Sequence, residues 1–196
     1  MIKDLEDIKG WQVESEEVRE VASKMDIPST QPLPEVIVVG KEAIESVQSE
    51  PQLHKDSSGQ SPSGYFITIP ESMLSKVGKT DYILGARTGE NIRHELAHFM
   101  EHLEMGTEPG GEDNPYNLAA AEIRANLRAG VKRPSWRLAL VIKTLVEDYS
   151  LSTRAAGDIV SRAATDLGIN KWTISRAKRL YKEGRMGWGG ERFEGE

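Results

Sequence analysis

The chain contains no cysteine, so disulfides, thiolate metal sites and cysteine nucleophiles are excluded. Any metal ion must be held by His, Asp or Glu. No apolar run approaches the ~18 residues that a membrane span needs. The first residues, Met1-Ile-Lys-Asp-Leu-Glu-Asp, are acidic and lack the apolar core of a secretory signal, so a cytoplasmic protein without membrane contact is expected. What is present suits a folded, soluble chain. It has 196 residues, 38 % apolar and 29 % charged, enough for one domain and a small appendage.

The net charge of −6 is unevenly spread. Residues 1–123 carry 10 Lys/Arg against 23 Asp/Glu, and residues 124–196 carry 15 against 8. The second region, at +7, can meet a polyanion.

Periodicity and turn residues give a coarse map. Ser15 to Met25 reads as one short helix stopped before Pro28. Val36 to Val39 reads as a buried strand, Lys41 to Gln48 as a short helix, and residues 49–63 as a mobile loop. Tyr65 to Ile69 reads as a second strand ended by Pro70. Gly78 and Gly85 break the stretch from Glu71 to Arg87 into turns. Thr88 to Asn91 caps a helix expected from about Glu90 to Glu104, and a second helix is expected from about Tyr116 to Arg128, ended by Gly130. Beyond Pro134 three helices are expected, the last two flanking a tight turn at Leu167 to Asn170. The Gly-rich tail from Gly184 to Glu196 reads as a hairpin or frayed end.

Residues 94–98 read His-Glu-Leu-Ala-His. Two histidines four apart on a helix share one face, with Cβ atoms roughly 5–6 Å apart, so both rings can reach one ion. Ile92, Leu96, Phe99, Met100 and Leu103 supply the opposite, core-facing side. Zinc in a catalytic site takes three protein ligands and keeps one position open. His102 lies eight residues after His94, ~12 Å along a straight helix, too far to join the same ion. It reads as a surface or outer histidine. Glu122 on the next helix is the leading third ligand, because Ala119, Ala120 and Ala121 permit close approach. Glu112 and Asp113 are the alternatives. Asn126, one turn after Glu122, can orient a ligating histidine through its free ring N–H.

This arrangement resembles the glutamate-zincins, and is most similar to the small ImmA/IrrE-type metallopeptidases of bacteria and phages. The resemblance covers about residues 35–130. It implies a zincin-like α+β core of short sheet plus active-site helices, His94 and His98 as zinc ligands, Glu95 as catalytic glutamate and Glu122 as third ligand. Arg124 stands where that family often has a second Glu. The strand from Tyr65 to Ile69 resembles the edge strand that lines a zincin cleft. Residues 1–34 then form an acidic N-terminal segment and linker, and residues 131–196 a helical, winged-helix-like domain.

Within that last region the segment from Asp166 to Lys178 is similar to the winged-helix tails of phage primase and replication proteins. Lys171, Thr173, Ser175, Arg176, Lys178 and Arg179 are the candidate nucleic-acid contacts, with Trp172, Ile174, Ala177, Leu180 and Tyr181 as the core face. The combined expectation is a zinc endopeptidase with one Zn2+ per chain. It would act on a protein substrate such as a regulator and carry a module that binds double-stranded DNA. Glu95 takes a proton from the zinc-bound water, and Tyr116, Tyr65 or His54 is available to stabilise the oxyanion. The alternatives are a DNA-binding regulator and an antirestriction-like mobile-element protein, each with a zinc site that is not proteolytic.

Overall fold

The computed structural model describes residues 10–39, 51–71, 75–77, 81–83, 86–109, 114–131 and 133–184. The helix expected from Lys41 to Gln48, the loop acids Glu112 and Asp113, and the tail beyond Gly184 lie outside the described residues. The fold is mixed α+β with a helical C-terminal part. The chain divides into two compact units, Met1–Pro109 and Gly110–Gly187.

In the first unit, strands β1 (Gly10–Gln12), β2 (Glu35–Val39), β3 (Gln52–Lys55) and β4 (Tyr65–Pro70) form one mixed sheet in the order β1-β2-β4-β3. β2 runs parallel to β4, while β1 and β3 pair antiparallel at the two edges. Every residue of β4 is buried, the near-continuous apolar run of a strand covered on both sides. Helix α1 (Ser15–Ala22) buries Val18 and Ala22. Helix α2 (Ala86–Met105) packs on β3 and β4 and sends Ile92, Leu96 and Phe99 into the core. Phe99 meets Tyr65 of β4 edge to face, with ring centroids 5.3 Å apart. A separate antiparallel pair joins β5 (Ser75–Val77) and β6 (Asp81–Ile83).

Three details differ from the sequence expectations. The stretch at residues 49–63 contains β3, whose ladder with β4 decides its state against its polar, Ser/Gly-rich surroundings. The turn after it is tied by Asp56, which accepts from the backbone N–H of Ser58 at 3.0 Å and of Ser61 at 2.7 Å. The strand from Tyr65 is internal, and the sheet edge on its side is β3. Finally, α2 begins at Ala86, so Thr88 is buried within its first turn rather than capping it.

The second unit packs helices α3 (Pro115–Ala129), α4 (Pro134–Asp148), α5 (Thr153–Asp166) and α6 (Lys171–Lys182). Side chains of Asn114, Ser152 and Asn170 cap α3, α5 and α6 by accepting from backbone N–H groups three residues on, each contact worth about 1 kcal/mol. Gly130, at φ 63°, closes α3 in the left-handed conformation that favours glycine. Helix α4 is central: it packs on the other three and buries Trp136, Leu138, Val141, Ile142 and Leu145. Helix α3 shares its contacts with α4 and α5. The turn from Leu167 to Asn170, with Gly168 at φ 81°, links α5 to α6 as a helix-turn-helix unit.

Candidate metal centre

Helix α2 presents His94 and His98 from successive turns. Their Nε2 atoms are 3.2 Å apart, and the rings stand nearly perpendicular, at 86°. Two imidazole nitrogens converging at that distance suit a shared cation, since both can turn lone pairs towards one point. His94 is buried. Glu122, the carboxylate expected beside them, lies on α3 of the second unit. Two imidazoles and one carboxylate are the donor set of a catalytic zinc site that leaves a fourth position open.

Glu95 sits between the histidines in sequence and points to the sheet. Its Oε2 accepts the Leu53 backbone N–H at 3.0 Å. Leu53 belongs to the edge strand β3, so this N–H lies outside the β3–β4 ladder and the carboxylate takes its place as partner. Sequence reasoning could not find this contact, because β3 was hidden in an apparent loop.

His102 is buried rather than a surface group, and its Nδ1 lies 2.8 Å from Thr107 Oγ1 just past the helix end. The three oxyanion candidates have other engagements. His54 stacks on Phe66, its Nε2 lies 2.9 Å from Thr68 Oγ1, and burial lowers its pKa to about 4. Tyr65 is buried against Phe99. Tyr116 donates to Asp166 at 2.5 Å, with the Arg162 guanidinium 4.8 Å from its ring centre, which ties α3 to α5. The hydrogen bond to Asp166 raises the Tyr116 pKa, so the phenol stays protonated at neutral pH.

In the second unit Glu122 is half-buried on α3. Asn126 is buried, and its Oδ1 finds no hydrogen-bond partner among the described residues. It lines a pocket of about 300 Å³ with Ile123, Leu127, Leu138, Ile169 and Thr173.

Of the candidate nucleic-acid contacts, Lys171, Ser175, Lys178 and Arg179 are exposed on α6 and Arg176 is half-exposed. Thr173 is buried at the N-terminal turn of α6, where helix periodicity turns it inward beside Ile174 and Ala177. Trp172, expected in the core, is exposed instead. Comparison with protein-family models, with curated proteins and with solved structures finds no match. Among the described residues, no helix is long and apolar enough to cross a membrane.

Proposed function

We propose that the protein is a zinc-dependent endopeptidase whose ion is held by His94, His98 and Glu122 and whose general base is Glu95. The observation that carries this reading is the convergence of the His94 and His98 Nε2 atoms, 3.2 Å apart, on the helix that also bears Glu95. A structural zinc site needs no carboxylate base between its histidines, and a purely structural helix gains nothing from two imidazoles facing each other. When bound, zinc supplies a water of pKa about 7 and polarises a scissile carbonyl. Glu95 accepts the proton of the attacking water at its carboxylate and delivers it to the leaving amine. Leu53 N–H fixes that carboxylate by bonding Oε2. β3 is an edge strand, the position at which an extended peptide adds to a sheet, which favours an unfolded or loop segment as substrate.

The helical C-terminal part is proposed as an appended nucleic-acid-binding module, on the support of α6, which has five basic residues and no acidic one. The peptidase test is cleavage of unfolded casein by the zinc-loaded protein. Cleavage that stops with a chelator, returns with zinc and is absent in Glu95→Gln is the expected result. Chelator-insensitive cleavage, or none by the zinc-loaded chain, contradicts the reading.

A further inference from the structure

Helix α6 sorts its side chains sharply. Thr173, Ile174, Ala177 and Leu180 are buried, while Lys171, Arg176, Lys178, Arg179 and Lys182 carry its charge with no acid among them. On the outer side Trp172 is 67 % exposed, more than the other exposed large apolar side chains Leu103, Met105 and Leu127. Trp is rarely left this open in a folded protein, and a fixed exposed indole is a contact group awaiting a flat partner. Arg176, one turn on, places its guanidinium carbon 5.4 Å from the indole centre, and Arg179 follows along the same stripe. Asp158 of α5 lies 3.4 Å from Lys178, and Glu183 lies 3.9 Å from Arg179, both in solvent-exposed pairs that a polyanion can displace.

Building on the nucleic-acid reading of α6, we propose that its ligand is single-stranded and that Trp172 stacks on an unpaired base while Lys171, Arg176 and Arg179 meet flanking phosphates. Bases in a duplex already have both faces covered by their neighbours, so an indole finds a free π-face only where bases are unpaired. Duplex readout by a helix asks for hydrogen-bonding side chains at its first turns. Lys171 and Ser175 are exposed at those turns, but Thr173 is buried and the large exposed Trp172 stands in its place, which suits stacking better than reading base edges. Stacking is tolerant of base identity, so the site selects strandedness rather than sequence.

The experiment uses the full chain, a fluorescein-labelled oligo(dT) and a mixed-sequence duplex of equal length, followed by anisotropy over a range of salt. Oligo(dT) should bind at least about tenfold more tightly than the duplex. Trp172→Ala should weaken it about tenfold or more, and Trp172→Phe should retain most of the affinity. The salt slope should be unchanged in Trp172→Ala but shallower in Arg176→Ala/Arg179→Ala, by about 0.7 per lost phosphate contact. All of these side chains lie on the outer side of α6, and circular dichroism confirms that each variant keeps its helices. Duplex binding equal to or tighter than oligo(dT), with Trp172→Ala harmless, overturns the single-strand inference and leaves the nucleic-acid reading standing. Absence of binding to both overturns the two together.

Discussion

Glu95 and Leu53 are joined by a 3.0 Å hydrogen bond from the edge-strand N–H to the carboxylate Oε2. The bond couples the motif helix to the strand beside it, and it separates two roles of one side chain. Glu95→Gln keeps an oxygen that can accept from Leu53, so the fold should hold, while loss of the base should lower turnover on the order of 10²-fold or more. Glu95→Ala removes the acceptor as well and should cost about 1–3 kcal/mol of stability beyond the Gln variant, because Leu53 N–H is then left without its partner. Thermal unfolding and casein cleavage measured on both variants separate the two effects. Equal stability of the two variants would mean the contact contributes nothing.

His54 predicts a pH dependence of stability. Burial lowers its pKa to about 4 from 6.5. Between those values the unfolded chain binds a proton that the native chain does not, so this group destabilises the fold as pH falls through that window. The loss is on the order of 3 kcal/mol by the lower end, from about 1.4 kcal/mol per pKa unit. Denaturant titrations at pH 7 and pH 4.5 should show a smaller acid loss in His54→Gln than in the parent. An identical loss would assign the acid sensitivity to other groups.

Asn126 predicts the opposite of an ordinary buried-polar substitution. Its Oδ1 is buried without a partner, beside Ile123, Leu127 and Leu138. Asn126→Leu removes that unsatisfied acceptor and should leave stability unchanged or raise it by about 1–2 kcal/mol, with zinc affinity intact. A fall in zinc affinity of about tenfold or more would assign Asn126 to the orientation of a histidine ligand.

His102 should be dispensable for metal yet costly to the fold. It is buried and bonded to Thr107. Equilibrium dialysis should give His102→Ala the zinc content of the parent, while its unfolding midpoint falls by an amount equivalent to about 1–3 kcal/mol. Lost zinc in a folded His102→Ala chain would place this residue in the metal centre.

Much of the candidate site was legible because it depends on helix periodicity alone. A four-residue spacing on a helix puts His94 and His98 side by side whatever surrounds them, and the Ala-rich face ahead of Glu122 marks a helix that tolerates close neighbours. The helices of the C-terminal part were legible for a similar reason, since Gly130, Pro134 and Asn170 are terminus residues with local roles. β3 was not legible, because four residues flanked by Ser and Gly become a strand only through pairing with β4. Nor was the edge position legible, since strand order is a long-range property. Trp172 and Thr173 exchanged places between core and surface because adjacent residues on a helix differ by about 100°, and a small error in the assumed apolar face swaps them.

The most direct test of the metal centre is zinc K-edge X-ray absorption on the zinc-loaded chain, read beside zinc content by equilibrium dialysis. The account predicts about one zinc per chain, two imidazole nitrogens at about 2.0–2.1 Å and two oxygens at about 2.0–2.2 Å, one of them lost in Glu122→Ala. It also predicts no retained zinc in His94→Ala/His98→Ala. Stoichiometric zinc in that double variant, or an unaltered coordination shell in Glu122→Ala, would contradict it.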